Sequence, residues 1–229
     1  MAKYTFSVAT EEGQNEIQLD CDTVIAVGYG GRNQGKVKAK LEESAKKGKK
    51  VPSKTPINYP CSTNCIVQDG KVQVVGHKTK GEAEFLLVLK DGKLYVGVGS
   101  DHTDSELTGV STNKAKQACP KPIGSVLWLY DEVKDHWDEL QLKSWQTKDG
   151  VEAPYQDGKV SEIMTVEDTL KVVEEDFSGL KNAIIFGGTV SVIGDAVYGD
   201  KFRCELVDPV LGRTLSHEYD IRVLSEGIE

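Results

Sequence analysis

The chain has 229 residues, of which 38% are apolar and 28% charged, and a formal net charge of -8. That is enough to bury the core of one domain with a small N-terminal addition, and the acidic balance excludes nucleic acid as a main partner. No apolar run approaches a membrane span and no signal-peptide h-region opens the chain, so a soluble, cytoplasmic protein without a membrane partner is expected.

Tyr4 to Val8 and Ile17 to Asp20 alternate and predict an opening hairpin. Thr23 to Val27 is a short apolar run ending at Gly28-Tyr29-Gly30-Gly31. This cluster reads as a flexible turn, because it has neither a Walker ending nor Gly-x-Gly-x-x-Gly spacing. Residues 36–47 have helical spacing, with Val37, Leu41 and Ala45 on one face and Gly48 at the C-terminus. Lys46, Lys47, Lys49 and Lys50 read as solvated surface with a secondary role in attracting an anion. Three prolines make residues 51–60 extended or looped. Residues 1–54 are thus expected to hold N-terminal strands and a lysine-rich helix, and residues 55–229 the chemistry. The five cysteines (Cys21, Cys61, Cys65, Cys119, Cys204) are odd in number, and Cys61 and Cys65 are not spaced as Cys-x-x-Cys, so they read as small buried side chains.

The most informative segment runs from Gly81 to Asp101. Asp91-Gly92 lies between two apolar runs and signals a two-residue hairpin turn. Such a turn pairs Lys90 with Lys93, and counting outward sets Glu84 opposite Gly99 and Glu82 opposite Asp101. Opposed residues and residues two apart share a sheet face, so the three carboxylates point the same way, with open space expected at Gly99. Both faces of Phe85-Leu86-Leu87-Val88 are apolar, the mark of a buried strand. Clustered carboxylates there are costly unless a cation joins them, and an all-oxygen set suits Mg²⁺ or Mn²⁺, with Ca²⁺ as a third candidate.

Further on, residues 102–124 read as a lysine-rich loop or short helix. Ser125 to Tyr130 reads as a strand, Asp131 to His136 as a helical turn and Glu139 to Gln146 as a strand. Thr165 is a predicted N-cap for a helix to Glu175, with Asp168 three residues on. Asn182 to Phe186 is a buried strand, and Lys201 to Val207 and Arg213 to Val223 are alternating strands. Many strands and few helices give an α+β, mostly β domain, a mixed-sheet roll or sandwich.

Several segments in order resemble the fumarylacetoacetate hydrolase (FAH) superfamily. Gly81-Glu82-Ala83-Glu84-Phe85 resembles its Glu-x-Glu metal strand, and Asp101-His102-Thr103-Asp104-Ser105-Glu106 its Asp-x-Ser/Thr-x-Arg-Asp segment. Lys116 before Pro122-Ile123-Gly124 is similar to its Lys ahead of Pro-x-Gly, and Tyr155-Gln156-Asp157-Gly158 with Met164 to its Arg-Gln-x-Gly…Met stretch. Phe186-Gly187-Gly188-Thr189 resembles its Thr-Gly-Thr-Pro loop, Gly199-Asp200 its Gly-Asp pair and Leu211-Gly212 the following turn. The likeness spans roughly residues 55 to 224 and is closest to an uncharacterised bacterial subgroup of about this length. The chain departs from the pattern at Ser105, where the family has Arg, and at Val190, where it has Pro; the His-Glu base pair of many hydrolase members has no clear counterpart.

The resemblance implies an FAH-like fold, a homodimer and a metal at Glu82, Glu84 and Asp101. It further implies a small keto-acid partner and hydrolysis of a C–C bond in an acylpyruvate-like 2-keto or 1,3-diketo acid. Alternatives on the same platform are a lyase (decarboxylase or hydratase) and a non-catalytic binder. Lys116, expected in a loop where truncation is cheap, would bind the substrate carboxylate or oxyanion. Gln156, Gly188 and Thr189 would line the acid, and Glu106 or His77 would serve as the missing base. His102, His136 and His217 read as structural or surface residues.

Overall fold

Two β-sheets face each other across the main core of the computed structural model, which describes residues 2–10, 13–48 and 50–224. Lys49 of the basic cluster lies outside them. In chain order the strands are β1 (Ala2–Thr10), β2 (Gly13–Cys21), β3 (Thr23–Gly28), β4 (Ile57–Cys61), β5 (Lys71–Val75), β6 (Ala83–Lys90) and β7 (Lys93–Ser100). They continue as β8 (Val126–Leu129), β9 (Gln141–Lys148), β10 (Val151–Lys159), β11 (Asn182–Thr189), β12 (Lys201–Asp208) and β13 (Arg213–Leu224). The larger sheet has the order β2-β1-β8-β7-β6-β11-β3-β4, and the smaller β10-β9-β12-β13-β5. The result is the mostly β, α+β architecture expected from the sequence.

β6 lies inside the larger sheet and is apolar on both faces. Phe85 and Leu87 pack into the core between the sheets with Phe202, Leu206 and Tyr219. Leu86 and Val88 face a second cluster with Phe6, Leu127 and Phe186. Asp91 and Gly92 have φ of 49° and 78°, the paired left-handed conformation of a type I′ turn. The register follows: Lys90 pairs with Lys93, and Glu84 with Gly99. Gly99 does not leave open space, however. A Cβ there would lie 2.8 Å from Pro122 O, so the missing side chain admits the 122–123 backbone, which bridges Gly99 through Ile123.

The N-terminal strands are built into this same sheet. β1 pairs in parallel with β8, and β3 in parallel with β11. The helix Gln34–Lys46 starts at Asn33, whose side chain accepts from Lys36 N. It buries no residue; Val37 and Leu41 are half-buried and Ala45 is exposed, so the expected apolar face is only loosely covered. Thr165 caps the helix Val166–Asp176 through Asp168 N at 3.1 Å, as expected.

β5 and β10 were not anticipated. Both are edge strands, and β10 contains Pro154 and mostly exposed residues, which removes the alternation that marks a strand.

β11 passes so close to β6 that a Cβ at Gly187 would fall 2.0 Å from the Phe85 ring, which itself meets Trp137 edge-on at 5.1 Å. Gly187→Ala is expected to destabilise the protein by about 1–3 kcal/mol through overpacking, measured by urea unfolding.

Candidate metal centre

The hairpin places Glu84 on β6, Glu82 just before it and Asp101 just after β7. Asp101 N donates to Glu82 O at 2.9 Å, extending the ladder past the strand ends. One carboxylate oxygen from each of Glu82, Glu84 and Asp101 lies within 4.8 Å of the others. Glu84 is 3% exposed and Asp101 fully buried, while Glu82 keeps partial access.

Three lysines answer these carboxylates. Lys80 Nζ lies 2.9 Å from Glu82 Oε1. It is held there because Thr79–Lys80 pairs with Thr103–Asp104. Lys116, on the short helix Thr112–Gln117, contacts Asp101 Oδ2 and stands 5.6 Å over the Tyr59 ring. Lys121 is fully buried, donates to the carbonyls of His102 and Lys116, and approaches Asp101 Oδ1 at 3.1 Å. That oxygen has no bond of good hydrogen-bond geometry among the described residues. Burial opposes the Asp101 charge, but the two ammonium groups outweigh it and hold its pKa below the ordinary value. Glu84 moves the other way: burial, then the Asp101 charge, push its pKa well above the carboxylate range. An acid forced upward by buried neighbours of like charge is the environment that a hard cation relieves.

A bulge in β11 aims one more group at Glu84. The pairing of β11 with β6 shifts between Phe186 and Thr189, and Gly188 takes φ +124°, which favours glycine. Its N–H donates to Glu84 Oε2 at 2.8 Å. Above the carboxylates is a cavity of about 340 Å³ lined by Glu82, Glu84, Lys80, Lys116, Gly188 and Thr189. Val27 to Gly31, Tyr59, Thr103, Thr108 and Thr112 complete its wall.

The structure therefore brings together Glu82, Glu84, Asp101, Lys116, Gly188 and Thr189. Lys116 is not on a surface loop as expected; it is 6% exposed and ion-paired on a helix. Glu106 and His77 do not reach the cavity. Glu106 is an exposed partner of Lys78 at 2.9 Å, and His77 is exposed in the turn after β5. Gln156 is 1% exposed behind the wall rather than in it. Lys80, Lys121, Tyr29 and Tyr59 were missed. Period-two spacing puts Lys80, Glu82 and Glu84 on one face of an extended segment and could have found Lys80.

His102 is structural. Tyr219 Oη donates to Ser100 Oγ, so it accepts from His102 Nδ1–H at 2.9 Å, and the bare Nε2 accepts from Thr79 Oγ1 at 2.9 Å. Burial pushes the His102 pKa down to about 3. Below the ordinary value of 6.5 the unfolded chain takes a proton that the folded chain refuses. The His102 contribution to stability is therefore full at neutral pH and falls by about 1.4 kcal/mol per pH unit on acidification. Urea unfolding between about pH 7 and about pH 4 should show that ~1.4 kcal/mol slope reduced in His102→Gln. His217, held at about 4 by burial, keeps its own share in that variant.

The fold is shared with solved enzymes. A 2-keto-3-deoxyarabinonate dehydratase superposes with a TM-score of 0.68 at 19% identity, covering 90% of this chain and 76% of that one. The 2-keto-3-deoxy-D-arabinonate dehydratase complexed with magnesium and 2,5-dioxopentanoate gives 0.64 at 18%, over 90% and 75%. The 4-oxalocrotonate decarboxylase from Pseudomonas putida G7, complexed with calcium and acetate, gives 0.53 at 16%, over 87% and 76%. At such identities the likeness shows the fold, which is the FAH-like fold expected from the sequence. No curated protein matches the chain. The profile described as "Protein of unknown function (DUF2848)" matches residues 27–219, most of the chain. On that match, the chain belongs to the DUF2848 family.

Proposed function

We propose that this protein is an FAH-superfamily enzyme that holds one divalent cation, Mg²⁺ or Mn²⁺, at Glu82, Glu84 and Asp101 and acts as a lyase on a small 2-keto acid. The observation that carries this reading is the trio of carboxylates whose oxygens lie within 4.8 Å of one another beneath a cavity lined by two ammonium groups. The dehydratase and decarboxylase of the same fold, with their magnesium and calcium complexes, support it. The donor set fits a hard cation, since it is all oxygen and largely buried, with one oxygen of each carboxylate within 4.8 Å of the others.

When bound, such a cation supplies positive charge for the carbonyl and carboxylate oxygens of the substrate. Lys116 and Lys80 offer ammonium groups to a substrate carboxylate. Its neighbours raise the Lys116 pKa: burial opposes the charge, but Asp101, Glu82 and Glu84 outweigh it, so Lys116 remains a cation and serves as a charge, not as a base. The Gly188 amide fixes Glu84. A cavity near 340 Å³ admits a compact acid. The lyase is preferred to the hydrolase because hydrolysis also needs a group to activate water. No histidine lines the cavity among the described residues, and its two carboxylates belong to the trio.

Calorimetry of chelator-treated protein should show Mg²⁺ or Mn²⁺ binding. Glu84→Gln should weaken it by more than the ~10–100-fold typical of losing a supporting residue. The same variant retains an acceptor for Gly188 but no longer has to ionise in a buried site. It should therefore stabilise the metal-free protein at neutral pH, where burial opposes the Glu84 charge that the unfolded chain carries freely, read as a higher urea midpoint. Equal cation affinity in the two proteins would refute the site.

Oxalate is planar, dianionic and bidentate, and should raise the melting temperature only when the cation is present. Screening 2-keto and 1,3-diketo acids with Mg²⁺ and Mn²⁺, with products weighed by mass spectrometry, separates the reactions. Loss of carbon dioxide or water, or gain of water without cleavage, marks a lyase, and cleavage into two products with uptake of water a hydrolase; oxalate binding with no turnover of any acid would mark a binder.

A further inference from the structure

We infer that Gln156 is a positioning residue that fixes the Gly188 amide against Glu84, acting through Thr189 and Val190 and touching neither substrate nor cation. The inference rests on the reading of Glu84 as a cation ligand, but the contact it concerns exists in the protein itself.

A second bulge brings Gln156 inward. In the pairing of β9 with β10, Ser144 faces Gln156 while Trp145 faces Pro154, so Tyr155 is the extra residue. The bulge breaks the alternation of β10, and Tyr155 and Gln156 are both buried in succession. Tyr155 packs edge-on against Phe202 at 6.1 Å, while Gln156 turns toward the larger sheet.

There its amide is fully used. Oε1 accepts from Ala83 N at 2.9 Å and from Ser144 Oγ at 2.9 Å. Nε2 donates to Thr189 Oγ1 at 2.7 Å and to Val190 O at 2.8 Å. A primary amide has two acceptor and two donor sites, so none is left for a ligand. Ala83 N–H fixes the amide orientation, because the reverse would set donor against donor. Thr189 Oγ1 completes the loop by donating to Ala83 O at 2.7 Å.

Ala83 is the residue between Glu82 and Glu84, and Thr189 and Val190 directly follow Gly188. One side chain from the smaller sheet thus ties the backbone of the carboxylate strand to the bulge whose N–H meets Glu84. With a φ of +124° and no ladder bond of its own, Gly188 depends on its neighbours for placement.

The test compares Gln156→Met with Ser144→Ala. The first removes all four bonds; the second removes one on the side away from Gly188. Amide hydrogen exchange followed by NMR reports Gly188 relative to Phe186 of the same strand, and calorimetry reports Mg²⁺ affinity. In Gln156→Met, Gly188 exchange should accelerate about 10–100-fold relative to Phe186, as expected when the buried bond from Gly188 N–H to the Glu84 carboxyl group is lost. Mg²⁺ affinity should fall about 10-fold or more. Ser144→Ala should leave both within experimental error, even where its melting temperature drops. If the Gly188 to Phe186 ratio is unchanged in Gln156→Met, or changes as much in Ser144→Ala, the inference is overturned. Should Gln156→Met not fold, Thr189→Val removes the Thr189 half of that connection and leaves the bond to Val190 O, and Gly188 exchange should still accelerate relative to Phe186; an unchanged ratio overturns the inference. A wild type that binds no Mg²⁺ refutes the proposed function, while the exchange ratio still decides the role of Gln156.

Discussion

Three carboxylates crowded at one end of a buried hairpin repel one another in a medium where water cannot screen them, and the architecture around them is arranged to answer that charge. Asp101 lies deepest and has two ammonium partners, Lys116 and Lys121. The two are held differently. Lys121 is anchored by the carbonyls of His102 and Lys116 in a fully buried position, whereas Lys116 lines the cavity. A buried carboxylate that loses its partners typically costs a protein about 3–5 kcal/mol. Lys121 thus secures the site from behind, and Lys116 faces outward. Among the described residues Glu84 has no ion-pair partner, and burial with the Asp101 charge holds its pKa well above the carboxylate range.

Two irregularities in regular structure make the centre. The bulge in β11 turns the Gly188 N–H to Glu84, and the bulge between β9 and β10 turns Gln156 to Ala83 and Thr189. They lie in opposite sheets and meet at the same strand end. The sheets supply rigidity, and the bulges supply the direction that a straight ladder cannot.

The hairpin register was legible because it depends on local rules alone: Asp91-Gly92 dictates the turn, the turn dictates the pairing, and pairing puts Glu82, Glu84 and Asp101 together. The cap at Thr165 was legible for the same reason. Lys80 obeyed the same two-residue period as Glu82 and Glu84 and could have been read. Lys121 could not, because its burial follows from the parallel pairing of Lys121–Pro122 with Ile66–Val67, a contact between distant segments. Gln156 was expected to line the acid, but a bulge that shifts the strand by one residue sets it behind the cavity wall. The surface positions of His77 and Glu106 likewise depended on loop paths that no local pattern fixes.

The parallel pairing of β3 with β11 has a kinetic consequence. Gly28 to Gly31, at the end of β3, form one wall of the cavity, and Met164 N donates to Gly30 O at 2.8 Å behind them. β3 pairs on one side with the nearby β4, but its parallel partner comes from residues 182–189, separated from it by most of the chain. On a ribosome the hairpin of β6 and β7 can close as soon as it emerges, since its contacts are local. The wall opposite it must wait for β11, because β11 is the strand that joins β3 and β4 to β6. The nascent chain therefore carries its acidic end open to water from the emergence of β7 until that of β11, and the centre is enclosed only late in synthesis.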